Sequence, residues 1–229
     1  MFIEIPKLKQ ESVDLIFADL PYAVSKNHWD KQINLIEMWK VFDYVIRDGA
    51  YIILTSSGVF TGKLIISNEK WYKYTDIWVK TISSGQLNVN KMPLRKHEEV
   101  LVFRKQGKNV VYNEIKTLGE PYKINRNIKI ENGYGKQKKH IAENDGTRRQ
   151  TSVFEISNPR IKGGHPTQKP YKLIERIIQN YSNKFDTVLD PCFGSNVTGE
   201  VCEQLDRNYV GIELDEIFYN LVNKKENKE

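Results

Sequence analysis

The sequence predicts an α/β fold: a doubly wound, mostly parallel, Rossmann-like sheet with a basic region inserted between its two halves. Three observations point there. Short apolar runs ending in an acid or a turn alternate with segments of helical spacing. Asp19, Asp190 and Glu213 each fall at the carboxyl end of such a run. The middle of the chain, from Arg104 to Gly164, is the least periodic part and holds the whole basic excess, with 14 Lys plus Arg against 6 Asp plus Glu, whereas the remainder holds 21 against 23.

Taken in order, Leu15 to Ala18 reads as a strand with a turn at its carboxyl end. Leu35 to Ile46 has helical spacing (Ile36, Trp39, Val41, Phe42, Val45, Ile46), broken at Asp48-Gly49. Tyr51 to Leu54 is a strand, Val59 to Ile66 a helix, Asp76 to Val79 a strand and Val100 to Phe103 another. Pro170 stands at the start of an amphipathic helix, Tyr171 to Tyr181, where its missing donor costs nothing. Phe185 to Asp190 is a short buried strand, followed by a small-residue turn, Pro191 to Gly199, that leads into a helix. Asn208 to Glu213 is a last strand ending in an acid. In open sheets of this kind ligands bind beyond the carboxyl ends of the strands, so Asp19, Asp190 and Glu213 are expected on one rim.

Composition sets the frame. With 229 residues, 39% hydrophobic and 11% aromatic, the chain is expected to bury a sizeable core and an insertion. No stretch approaches a membrane span, and Met1 to Pro6 lacks a signal-peptide layout. Cys192 and Cys202 have no Cys or His partners at ligand spacing, which argues against a zinc site or a disulfide framework and for a reducing cytoplasm.

Two segments carry chemistry. Asp19-Leu20-Pro21-Tyr22 combines a carboxylate, a backbone with one donor removed and an aromatic face. Asp19 and the Leu20 carbonyl can accept from an exocyclic NH2, and Tyr22 can stack on a flat base; a capped turn after a strand is the plainer reading. Downstream, strand, small-residue turn, helix and acid-ended strand form the βαβ plan of nucleotide-type cofactor sites, the later acid receiving ribose hydroxyls. The turn lacks the G-x-G-x-x-G spacing and no Gly-Lys-Ser/Thr follows it, so a pyrophosphate is not the expected ligand.

With Trp29-Asp30, Leu94-Arg95-Lys96-His97-Glu98 and His165-Pro166-Thr167-Gln168-Lys169-Pro170, these segments resemble the β-type amino-methylating DNA methyltransferases that use S-adenosylmethionine, and within them the small phage and prophage site-specific enzymes. The resemblance spans nearly the whole chain, with the motifs in the family's order. It implies a Rossmann-like methyltransferase domain over 1–103 and 165–229 and a target-recognition region over 104–164. It implies methyl transfer to the exocyclic N6 of a flipped adenine in double-stranded DNA, leaving S-adenosylhomocysteine and needing no metal. By the same resemblance the catalytic residues are Asp19, Leu20, Pro21 and Tyr22. Asp190, Phe193, Gly194, Ser195 and Glu213 hold the cofactor, with Thr167, Gln168 and Lys169 near its carboxylate. Lys136, Lys138, Lys139, Arg148 and Arg149, interleaved with Tyr, Asn and Gln, are the expected DNA contacts.

Plainer readings stand beside these: Glu213 as a surface acid, Phe193 as core, His97-Glu98 as a strand-start capping pair rather than an orienter of the base, Trp29 as a packed residue rather than part of a closing loop. N4-cytosine methylation shares the geometry, and Asp at the first catalytic position only leans toward adenine. A DNA-binding module without turnover is the reading from another class; RNA methylation is a third. C5-cytosine chemistry is disfavoured because Pro191-Cys192 occupies the cofactor turn. Three positions depart from the family: Asn196-Val197 replaces Gly-Thr in the turn, Ala23 replaces Gly, and the upstream Gly-Asp strand that meets the cofactor adenine is not in a sequence starting at Met1 unless the true start lies further up. Asn tolerates a left-handed backbone, so the turn is expected to survive. A homodimer rests on the resemblance alone, a bacterial or phage-infected cytoplasm is the expected location, and the recognition sequence and any restriction endonuclease partner are not legible.

Overall fold

The structure, a computed structural model, describes residues 1–22, 33–126, 131–132, 135–136, 140–158 and 168–226. Two compact units form, Met1–Asn113 with Ser152–Glu229, and Glu114–Thr151. The larger is built on strands β1 (Val13–Ala18), β2 (Ile46–Ser56), β3 (Tyr72–Ser84) and β4 (Arg95–Arg104). Among its described residues the smaller carries three two-stranded pairs: β5 (Thr117–Leu118) with β10 (Thr147–Arg148), β6 (Tyr122–Arg126) with β9 (His140–Asn144), and β7 (Glu131–Asn132) with β8 (Gly135–Lys136). Strands β11 (Val153–Ile156), β12 (Thr187–Asp190) and β13 (Asn208–Gly211) complete the main sheet, in the order β11-β3-β4-β2-β1-β12-β13.

All its strands run one way except β4, which pairs antiparallel with β2 and β3. The reason is local: β3 and β4 are joined as a hairpin, whereas parallel neighbours need a crossover. Beside β1 lies β12, with Leu15 opposite Val188 and Ile16 opposite Leu189. Segments at opposite ends of the chain therefore finish side by side on the rim.

Alternation along the strands sorts side chains into two cores. Leu15, Phe17, Tyr51, Ile53, Val100 and Val102 pack with Leu173, Ile174, Ile177 and Val201 from α3 (Tyr171–Tyr181) and α4 (Val197–Gln204). Ile16, Ala18, Ile52, Leu54, Leu101 and Phe103 pack with Met38, Phe42, Phe60 and Leu64 from α1 (Leu35–Val45) and α2 (Val59–Ser67). The sheet is thus doubly wound. Asn34 starts α1, its side chain accepting from the Ile36 and Glu37 amides; a last helix, α5, spans Glu216–Glu226. No described helix is long and apolar enough to cross a membrane.

Several boundaries differ from the sequence reading. Helix α1 ends at Val45, and Asp48-Gly49 lies inside β2, where the register to β1 shifts. Gly49 has φ +79°, and a Cβ there would stand 2.7 Å from the Asn109 carbonyl oxygen. Strands β3 and β4 extend well beyond the apolar runs Asp76–Val79 and Val100–Phe103, because their polar ends pair with each other through the backbone. Strand β11 was not expected at all. It lies within the basic segment and pairs parallel with β3. Residues 105–113 and 152–158 accordingly belong to the larger unit, so the compact insertion is shorter than the 104–164 expectation.

Candidate active site

Strand β1 delivers Asp19 to the rim. The Leu20 side chain, 2% exposed, anchors the turn in the core. Asp19 Oδ1 accepts from the Thr55 hydroxyl at 2.5 Å and the Tyr22 hydroxyl at 3.1 Å; Oδ2 accepts from Lys169 Nζ at 2.7 Å. Lys169 Nζ also lies 3.3 Å from Glu98 Oε2, and the other Glu98 oxygen accepts from the buried Lys80 at 3.1 Å. Cation and carboxylate therefore alternate through four side chains. Burial opposes charging of the Lys169 ammonium, but Asp19, Tyr22 and Glu98 around it outweigh burial and raise it well above the usual lysine range. Burial, then Asp19, pushes the Tyr22 phenol well above its ordinary value, so it stays protonated and donates. Its ring tilts against Phe60, with centroids 5.4 Å apart.

The second turn begins where β12 ends. Asp190, 3% exposed, accepts from the Cys192 amide at 3.1 Å and the Thr198 hydroxyl at 2.6 Å. Burial raises its carboxyl to about 7 against the pull of those two bonds. Gly194 has φ +54° and its amide donates to Glu213 Oε2 at 2.8 Å; Glu213 Oε1 accepts from the Leu214 and Asp215 amides. Asn196 adopts the left-handed conformation (φ 62°, ψ 26°), as expected of an Asn standing for Gly. A Cβ on Gly199 would lie 2.5 Å from Asn196 Oδ1, so a larger residue there would displace the Asn196 side chain. Phe193 lies over Gly211, where a Cβ would be 2.8 Å from its ring.

The two turns touch. The Cys192 thiol donates to the Asp19 carbonyl at 3.4 Å. Burial, with Asp190 and Asp19 adding to it, pushes that thiol well above its normal range. It stays protonated and serves to join the two turns.

A pH effect follows from the buried Asp190. Asp190 has a folded pKa near 7 against 3.8 for the free side chain. Between those values the unfolded chain releases a proton that the folded chain keeps, so stability falls as pH rises from 4 to 7 and then levels off. At about 1.4 kcal/mol per unit the ionised, buried Asp190 costs the fold on the order of 4 kcal/mol above pH 7. Asp190→Asn should therefore melt higher than the parent at pH 8, and the gap should close as pH approaches 4. Thermal melts across that range check it.

A strand-turn-helix hollow beside an Asp-Leu-Pro-Tyr turn matches a known pattern, and the N6/N4 DNA methylase family model covers residues 13–224. The chain belongs to this family. Among relatives of the methylase, the DNA adenine methyltransferase YhdJ of Escherichia coli (strain K12) is 31% identical over 93% of this chain and 75% of its own. The Type II methyltransferase M.HpaI of Haemophilus parainfluenzae is 25% identical over 96% of this chain and 70% of its own. The crystal structure of the M1.HpyAVI-SAM complex superposes with a TM-score of 0.65, 25% identity and coverage of 93% and 89% of the two chains. The PvuII DNA methyltransferase (cytosine-N4-specific) shares the fold, with a TM-score of 0.64 and 16% identity over 93% of this chain and 79% of its own.

Within the methylase, the structure brings Asp19, Tyr22, Lys169, Asp190, Cys192, Gly194 and Glu213 onto the rim. Ser195 and Gln168 are half-buried beside them in sequence. Lys169, expected near a cofactor carboxylate, bonds Asp19 in the free protein. His97 and Glu98, read as a pair, point oppositely as strand neighbours must: Glu98 reaches the buried ion chain, while His97 is exposed, 3.9 Å from Glu99. Thr55 and Lys80 escaped the sequence reading. The one available signal was the polar Thr55-Ser56-Ser57 at the end of an apolar strand. In the small unit Arg148 spends its guanidinium on Asn144, Thr147, the Glu120 carbonyl and the Tyr122 ring, whereas Arg149 is exposed and 3.3 Å from Glu114. The Lys136 side chain, Lys138, Lys139, Thr167, His165, Ala23, Trp29 and Asp30 lie outside the described residues.

Proposed function

We propose that the methylase uses S-adenosylmethionine to methylate N6 of adenine in duplex DNA. The observation that supports this most is the contact between the Cys192 thiol and the Asp19 carbonyl, which sets an amine-accepting turn against a hollow lined by Asp190, Gly194 and Glu213. The residues present fit the cofactor. Among the described residues, an added Cβ at Gly194 would meet no atom within 4 Å, and Asn196 Oδ1 and the Tyr209 hydroxyl nearby are buried without hydrogen-bond partners. When bound, S-adenosylmethionine supplies a methyl already activated on a sulfonium.

The chain's own residues then have few tasks. Asp19 and the Leu20 carbonyl hold the amine, encourage tetrahedral nitrogen and point its lone pair at the methyl. Tyr22 offers its face to the base, offsetting part of the few kcal/mol that eversion costs. Pro21 keeps competing donors out of the turn. Glu213 receives the ribose on the lone-pair site of Oε2 that the three amides leave, Phe193 covers the adenine, and Asp190, Ser195 and the Thr167 to Lys169 stretch surround the methionine end. Residues 104–164, with Lys136, Lys138, Lys139 and Arg149, read the duplex, while Arg148 braces the small unit from within. Adenine as the acceptor rests on Asp at the first position and on the likeness to YhdJ.

Gly194→Ala should test the hollow. The new methyl enters ligand space on a left-handed backbone that costs a non-glycine residue about 1 kcal/mol. Titration calorimetry should show S-adenosylmethionine binding weakened at least tenfold, with only a small drop in melting temperature.

The function itself is tested by incubating the chain with unmethylated genomic duplex DNA and methyl-labelled S-adenosylmethionine, then digesting to nucleosides. Labelled N6-methyldeoxyadenosine is expected. Labelled N4-methyldeoxycytidine would move the acceptor to cytosine; no labelled nucleoside would overturn the reading.

A further inference from the structure

Past the rim, β3 and β4 continue as a hairpin whose surface is apolar and basic. Leu87 is fully exposed, and Val89, Met92, Leu94 and Ile82 are also open to solvent. No carboxylate occurs between Ile82 and His97, while Lys91, Arg95 and Lys96 are all exposed. Contiguous exposed apolar side chains mark an interaction site. A fringe of cations with no acid selects a polyanionic partner.

The root of the hairpin is fixed at the reacting carboxylate. Glu98 lies three residues beyond Arg95 and is held by Lys80 at 3.1 Å and Lys169 at 3.3 Å; Lys169 bonds Asp19 at 2.7 Å. Arg95 donates to the Ser57 hydroxyl at 3.2 Å, at the end of β2. On the outer side Asn158 brackets the strand, accepting from the Ile82 amide at 2.8 Å and donating to its carbonyl at 3.1 Å. The β3 register shifts between Val79 and Ser84, and Gly85 turns in the left-handed region. Irregular pairing of this kind re-aims a strand. The stem is braced and the tip's side chains are exposed beside the place where a target base must arrive.

We propose that this hairpin is a duplex-DNA contact in its own right, its apolar tip entering the base stack next to the everted nucleotide while Lys91 and Lys96 neutralise flanking phosphates. The inference rests on the DNA-methylating function above. Eversion leaves two unstacked neighbours, and apolar wedges between base steps are a physical means of filling such a gap. Lysines on the phosphates add affinity that falls with salt, by a slope close to one per contact.

Two double variants of the full chain separate the parts: Leu87→Ser with Met92→Ser, and Lys91→Ala with Lys96→Ala. Both sit on exposed positions. The probe is unmethylated genomic duplex DNA, compared with the same DNA heat-denatured, alongside S-adenosylmethionine titration. The serine pair should lose at least tenfold in kcat/KM on duplex, much less on denatured DNA, with cofactor affinity unchanged. The alanine pair should weaken duplex binding and flatten its salt slope by about 2. Wild-type methylation with both variants unimpaired on duplex would overturn the hairpin and leave the function standing. So would variants whose only defect is loss of self-association, or of binding to phosphatidylglycerol vesicles. A wild-type chain that transfers no methyl to DNA would overturn the function first and the hairpin with it.

Discussion

Asp19→Ala should lower methyl transfer by about a thousandfold, the scale expected when a positioned polar group is removed from the reacting atoms. In the free protein Asp19 already accepts from Thr55, Tyr22 and Lys169. A carboxylate held by three donors cannot swing, so the incoming amine meets an acceptor of fixed orientation. Alanine removes that acceptor and also releases the Tyr22 hydroxyl. The cofactor hollow is formed by different residues, and S-adenosylmethionine binding should stay within about threefold of the parent. Asp19→Asn is the sharper variant. Its amide oxygen can still accept from Thr55, but its amide nitrogen would face the Lys169 ammonium and the substrate amine with the wrong polarity. Single-turnover transfer of labelled methyl, read beside cofactor titration, checks both variants. More than about a tenth of parental turnover in either would show that the amine is held elsewhere.

Much of this site was legible in the chain because its parts are local. Asp19 to Tyr22 and Asp190 to Gly199 are each a strand end plus a turn, and strand ends, turn residues and small side chains announce themselves at short range. The left-handed Asn196 is an instance: residue type and position sufficed. What the chain could not announce is contact between residues distant in sequence. Thr55 and Lys80 look like ordinary strand residues until β2 and β3 are laid beside β1 and β4. Lys169 is 150 residues from Asp19, and nothing near either residue tells that they meet. The long polar ends of β3 and β4 were missed for a related reason. Apolar alternation reports only the part of a strand that faces a core, and a hairpin held by its own backbone leaves no such trace. Asp48-Gly49 misled in the opposite direction, since a left-handed Gly serves a bulge in a strand as well as the end of a helix.

Lys169→Met should be the most destabilising change at the rim, and it decides what this lysine does. Methionine fills similar space but leaves Asp19 Oδ2 and Glu98 Oε2 facing the same small volume without the cation between them. Removing one partner from a buried ion pair costs about 3–5 kcal/mol. Lys80 alone then offsets the two carboxylates. The variant should therefore melt well below the parent at neutral pH. Catalysis should report the same event, because Asp19 loses the donor that fixes Oδ2: kcat should fall while S-adenosylmethionine affinity stays within about threefold of the parent. A lysine that served only the cofactor carboxylate would leave another signature, with S-adenosylmethionine affinity reduced and kcat at saturating cofactor nearly unchanged. The 2.7 Å bond to Asp19 favours the first pattern, and weakened cofactor binding with kcat intact would refute it.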